Sequence, residues 1–119
     1  MFSFLRSLFF LSRETIATHD PADLRARLEK ENPLLVIDVR EPSEFAGGHI
    51  PGAVNIPLGR VLSHAAELAG RNRPVVAVCL SDMRSRRAAA QLRHAGLRDL
   101  AILQGGIFAW VRQGYPFET

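Results

Sequence analysis

The chain has 119 residues, which fits one domain rather than two and is long enough to bury a core without help from a disulfide or a metal. Hydrophobic residues make up 47%, which argues against a disordered chain, and a single cysteine excludes a disulfide framework. The net charge of +3 is unevenly spread: residues 1–59 carry six basic and eight acidic groups, residues 60–119 nine basic and four acidic.

Residues 1–13 form the one unusual segment, with Phe2, Leu5 and Phe9 on one helical stripe that Phe4, Leu8 and Leu11 broaden. The segment is too short to span a bilayer, and it lacks the basic leader and small-residue cleavage site of an export signal. Two readings stay open. Residues 2–11 dock peripherally on a membrane surface or on a second copy in a homodimer, or they fold back as a helix on the domain's own core. The domain proper is then expected over residues 14–119.

From there strand-like and helix-like stretches alternate. Residues 15–17 suit a short strand, and Asp20 with Pro21 reads as the cap and first residue of a helix running to about residue 31. Residues 34–37 form a continuous apolar run ending at Asp38, as a buried parallel strand should. Residues 42–46 suit one helical turn stopped by Gly47 and Gly48. Residues 53–56 form a short strand, and residues 60–69 a helix with Val61, Leu62, Ala65 and Leu68 on one face. Residues 74–79 are the strongest strand, rich in β-branched residues. Residues 85–95 read as a helix with Gly96 as its stop, and residues 100–103 as a strand. Gly105 and Gly106 open a last helix carrying Ile107, Trp110 and Val111. This alternation predicts an α/β fold: right-handed βαβ units, a mainly parallel sheet of about five strands, and helices on both faces.

In such sheets ligands bind beyond the carboxyl ends of the strands, and Cys79 closes the central apolar strand. The loop Leu80, Ser81, Asp82, Met83, Arg84, Ser85 then leads into a helix. That helix directs its unpaired N–H groups and positive end at the loop, and Arg84 lies within reach of anything bound there. Together with the strand-end position, these features favour a Cys79 thiolate over the thiol. The loop N–H groups suit an anionic persulfide or substrate. The bland alternative is a small buried hydrophobe at a strand end. Arg84, Arg86 and Arg87 favour anionic substrates or partners, or simply form a solvated helix face. The aromatics do not interleave with Arg, which argues against nucleic acid, and the four scattered His leave no zinc site.

These residues are familiar as a set. The run from Leu35 through Asp38, Arg40, Glu41, Glu44 and Phe45 to Gly48, His49, Ile50, Pro51 and Gly52, the loop Cys79 to Arg84 with Ser85, and the closing Gly105, Gly106 and Trp110 resemble the single-domain rhodanese family of sulfurtransferases. The resemblance implies a three-layer sandwich and a double displacement. The Cys79 thiolate takes sulfane sulfur from thiosulfate or a protein persulfide, and a thiophilic acceptor such as cyanide or a thiol removes it. It also implies that residues 80–85 hold the donor, that Asp38, Arg40, Glu44 and His49 support the site, and that no metal or cofactor takes part. Asp38 is expected to brace the active loop, and Arg40 and Glu44 to pair across the short turn.

Two positions depart from the family pattern. Leu80 replaces a residue commonly polar or basic, and Asp82 replaces a common Gly. A carboxylate in the loop opposes a thiolate and repels a dianion, so thiosulfate is expected to be a poor donor. Two competing readings remain. A phosphatase or arsenate reductase of the related fold needs five residues between Cys and Arg, and here there are four. A non-catalytic relay or binding module would carry a persulfide between partners. A lone thiol and the absence of an export signal suggest the cytoplasm, with a peripheral contact at the inner membrane if residues 2–11 dock there.

Overall fold

The computed structural model describes residues 16–30 and 34–119. The segment 1–13, with its membrane and second-copy readings, lies outside the described residues, as does the beginning of the strand expected at 15–17.

Within the described residues the order is β1 (Ala17–His19), α1 (Pro21–Leu28), β2 (Leu35–Asp38), α2 (Pro42–Ala46), β3 (Val54–Asn55), α3 (Leu58–Val61), a 3₁₀ turn (Leu62–His64), α4 (Ala65–Gly70), β4 (Val75–Val78), α5 (Met83–His94), β5 (Leu100–Leu103) and α6 (Gly106–Arg112). The five strands form one sheet in the order β1-β5-β4-β2-β3, and every pairing is parallel. β2, β4 and β5 are buried at every position, because helices cover both faces, and this is why they read as unbroken apolar runs.

Alternation along β4 divides the core in two. Val75, Ala77 and Cys79 pack with Ala88, Ala89 and Leu92 of α5, and with Val61 and Leu68. Val76 and Val78 pack on the other face with Leu24 of α1 and with Ile107 and Trp110 of α6. α1 begins as expected: Asp20 accepts the Asp23 N–H at 2.8 Å, and Pro21 follows it. Gly96, at φ 106°, ends α5 with its N–H on the Arg93 carbonyl.

Several boundaries differ from expectation. The first strand is displaced to Ala17–His19, and the strand expected at 53–56 pairs only over Val54–Asn55. The helix expected at 60–69 is two helices separated by a 3₁₀ turn. The reason is local competition for one carbonyl. The Ser63 hydroxyl and the His64 ring both bond Arg60 O, at 2.8 and 2.9 Å, which is the acceptor that the His64 N–H would take in an unbroken helix. The apolar spacing is the same either way, so the break leaves no trace in it.

The C-terminal tail folds back over α6. The Trp110 indole donates to Pro116 O at 2.7 Å, and Tyr115 meets the Trp110 ring edge-on. Beyond it, Glu118 and His49 exchange backbone hydrogen bonds.

Candidate active site

β4 ends at Val78, in register with Asp38 at the end of β2. Both chains therefore leave the sheet side by side at its carboxyl edge, and Cys79 is the first residue beyond it. Cys79 is almost wholly buried, at 1% exposure. Its sulfur accepts the Ser85 N–H at 3.3 Å and lies 3.4 Å from Ser85 Oγ. Ser85 is itself buried, and its hydroxyl donates to Asp82 O at 2.9 Å. Asp82 is the cap residue of α5, yet its side chain makes no capping bond. The Cys79 sulfur takes that place, accepting an N–H of the first turn of a twelve-residue helix. Negative charge on this sulfur faces the positive end of α5.

The loop is clamped from the opposite side by the start of α6. Ile107 N–H donates to Cys79 O at 2.8 Å, Phe108 N–H to Leu80 O at 3.0 Å, and Gly105 N–H to Asp82 Oδ1 at 2.9 Å. Gly106, at φ 61°, makes this approach possible: a Cβ there would fall 2.4 to 2.6 Å from the carbonyls of Ser81, Cys79 and Leu80. A trans peptide places each C=O and the next N–H on opposite sides. Carbonyls turned toward α6 therefore leave the Leu80 and Ser81 N–H groups facing away from it. The Asp82 carboxylate, expected to stand against bound anions, accepts the N–H of Gly105, the residue that caps α6.

The charged residues pair differently from expectation. Arg40 does not pair with Glu44; its guanidinium takes both Asp38 oxygens, Nη2 to Oδ2 at 2.7 Å, and donates to Gly48 O at 2.7 Å. Asp38 is fully buried, and a buried carboxylate requires a cation and N–H donors close by. Arg40, two residues on, supplies both through its side chain and its own N–H. Asp38 thus braces the turn between β2 and α2. Asn55 reinforces the same turn, donating to Asp38 O and Arg40 O, each at 2.9 Å.

Glu44 bonds Arg84 as a fork, with Nη1 to Oε1 at 2.6 Å and Nη2 to Oε2 at 3.1 Å. Glu44 therefore anchors the Arg84 guanidinium, with three of its five N–H groups outside that fork. His49 stacks on Phe45 with ring centroids 3.8 Å apart and places Nδ1 2.9 Å from Phe45 O. Its other nitrogen faces Glu118, so its contacts lie with α2 and the tail rather than with the loop. Leu80 and Met83 are exposed at the loop surface. Among the described residues no group of His, Cys, Asp and Glu could hold a metal ion.

The Arg84 fork draws the Glu44 carboxyl from its ordinary 4.5 down to about 2, and Glu44 in turn raises the pKa of Arg84. A depressed carboxyl stabilises the fold fully above about pH 4.5 and loses that share as pH falls toward 2. Glu44→Gln is expected to cost about 1 kcal/mol at neutral pH. It should also flatten stability against pH across that acid window, as urea unfolding at several pH values would show.

A family model for the rhodanese-like domain matches residues 20–113. The chain belongs to that family. It is 37% identical over 97 residues to a protein of Allochromatium vinosum named sulfurtransferase, covering 82% of this chain and 90% of that one. It is also 37% identical over 105 residues to an uncharacterised protein of Synechocystis, covering 88% of this chain. The match spans only 58% of that relative's length. The solved rhodanese-like domain of an Anabaena protein superposes with a TM-score of 0.78 at 30% identity, over 87% of this chain and 80% of that one. The rhodanese-like fold and its all-parallel sheet agree with the architecture read from the sequence.

The clamp was not among the candidate residues. Gly105, Ile107 and Phe108 act on the loop through backbone groups, which side-chain identity does not reveal. Gly105 and Gly106 together, just ahead of a helix, were the available signal.

Proposed function

We propose that this rhodanese-like domain moves sulfane sulfur through a Cys79 persulfide. The observation that carries the reading is the sulfur held against the first turn of α5, accepting the Ser85 N–H. The Cys79 thiolate attacks the outer sulfur of thiosulfate. The bond between the two thiosulfate sulfurs breaks, and sulfite leaves with its electron pair. A terminal persulfide sulfur then passes to cyanide, giving thiocyanate, or to a thiolate, giving a new persulfide, and the Cys79 thiolate returns. No external oxidant or reductant is consumed. Leu80 and Ser81 N–H groups, Ser85 and the remaining Arg84 N–H groups stabilise the anions; Ser81, Asp82 and Met83 shape the loop. Asp38, Arg40, Glu44 and His49 hold the surrounding turns.

A relay module that passes sulfur between proteins, without rapid turnover of small donors, is the second reading; the exposed apolar Leu80 beside the sulfur favours it. A thiol retained as a nucleophile suits the reducing cytoplasm, where we place the activity. Among the described residues no helix is long and apolar enough to cross a membrane. A peripheral or self-contact through residues 2–11 belongs to the same reading.

The test is intact mass after incubation with thiosulfate, then with cyanide, with Cys79→Ser alongside. The expected result is a gain of one sulfur that Cys79→Ser abolishes and cyanide discharges as thiocyanate. A gain with polysulfide alone would favour the relay. No gain with either donor would sink the sulfurtransferase reading.

A further inference from the structure

Among the described residues, four of the exposed large hydrophobics, Leu80, Phe108, Val111 and Phe117, line a single groove of about 480 Å³. Leu80 follows Cys79 directly, so the groove begins at the reactive loop. Phe108 and Val111 lie one turn apart on α6 and extend it along that helix. Phe117 closes the far side from the tail, its ring lying against Gly48, where a Cβ would fall 2.2 Å from it. An apolar surface gathered beside a reactive sulfur, rather than scattered singly, marks a binding surface.

The charges around the groove say what it fits. Arg40 is matched by Asp38 and Glu44 by Arg84, so both pairs are neutral. Arg112 also lines the groove and has no carboxylate partner among the described residues. Among the described residues the groove is thus apolar with one positive charge, Arg112, that no carboxylate offsets. A small hydrophilic dianion can use that charge but gains nothing from the apolar walls, whereas an apolar segment buries surface against them. Cys79, at 1% exposure, admits only a narrow sulfur-bearing tip, while the groove beside it accepts what flanks that tip.

We propose that the groove seats an apolar segment of a partner protein that carries a cysteine and an acidic residue, so that the partner's sulfur meets Cys79 and its carboxylate meets Arg112. This rests on the sulfurtransferase reading above and names the donor class for the same site. The Cys79 thiolate attacks the terminal sulfur of the partner's cysteine persulfide. The sulfur–sulfur bond of that persulfide breaks, the partner's thiolate leaves with the electron pair, and the persulfide now sits on Cys79. The exchange is balanced without an added oxidant.

The test uses the full chain and synthetic peptides with a central cysteine persulfide, flanked by leucines and one glutamate, by leucines and one lysine, or by serines. Transfer to Cys79 is followed by intact mass. The apolar acidic peptide should load Cys79 at least about tenfold faster than the serine peptide, as burial of about two methylene equivalents requires. Val111→Ser should remove most of that advantage and leave loading by polysulfide unchanged. Arg112→Glu should reverse the preference between the glutamate and lysine peptides. Equal rates for all peptides would overturn the proposal, as would an apolar small-molecule persulfide that matches the acidic peptide. A sedimentation change on Val111→Ser would place a second copy in the groove instead. Failure of polysulfide to load Cys79 at all would count against the sulfurtransferase reading itself, which separates the two failures.

Discussion

Asp38→Ala is expected to destabilise the domain by about 3–5 kcal/mol, the cost of leaving a buried charge without its partner. Asp38 is fully buried and Arg40 is 5% exposed. The carboxylate accepts from Arg40 Nε, Nη2 and backbone N–H, and after its removal the guanidinium keeps, among the described residues, only Gly48 O. Folded domains of this size hold about 5–15 kcal/mol in all, so the variant should lose a large part of its margin. The urea midpoint should fall with little change in slope. Asp38→Ala combined with Arg40→Met should be milder than Asp38→Ala alone, because no charge is then stranded. If the double variant proves as unstable as the sum of two singles, the pair is not the coupled unit its geometry describes. Because Asp38 closes β2 beside Val78, softening this turn should also loosen the end of β4 from which Cys79 emerges.

What was legible in the sequence and what was not divides along the reach of the interactions. β2, β4 and β5 were legible because burial on both faces forces unbroken apolar runs. The position of Cys79 followed from β4 lying in the middle of the sheet. Charge pairing was not legible. Spacing along the chain suggests Arg40 with Glu44, but Arg84 is 40 residues from Glu44 and meets it only because β2 and β4 are neighbours. Asp38, meanwhile, is buried deeply enough to claim the nearest cation. The same holds for Asp82: its partner, Gly105 N–H, is 23 residues away and caps a helix that reaches the loop only across the strand edge. A carboxylate read from the sequence for its charge alone is, in three dimensions, also one of the bonds that shape the loop. The broken helix between Leu58 and Gly70 failed for a different reason, since two side chains outcompete the backbone for one carbonyl without disturbing the apolar spacing.

Gly106→Ala should separate the active loop from its clamp. The position has φ 61°, where a side chain costs about 1–2 kcal/mol in backbone strain. The added Cβ would also meet three backbone carbonyls at 2.4 to 2.6 Å, and no rotamer change can move a backbone aside. Either α6 retreats or the loop does, and in both cases the bonds from Ile107 N–H and Phe108 N–H to the loop are broken. A displacement near 1 Å at a reacting group costs about 100-fold in rate. Persulfide loading of Cys79 should fall by that order, with total destabilisation of about 3 kcal/mol. Gly52→Ala is the control: its φ of 84° carries the same backbone strain, but nothing lies within 4 Å of its Cβ. That variant should lose stability and keep its loading rate. Asp82→Ala removes only the bond from Gly105 N–H and should fall between the two. Were Asp82→Ala instead to load thiosulfate faster than the natural chain, repulsion by its carboxylate would outweigh its hold on the loop. The clamp would then rest on Gly106, Ile107 and Phe108 alone.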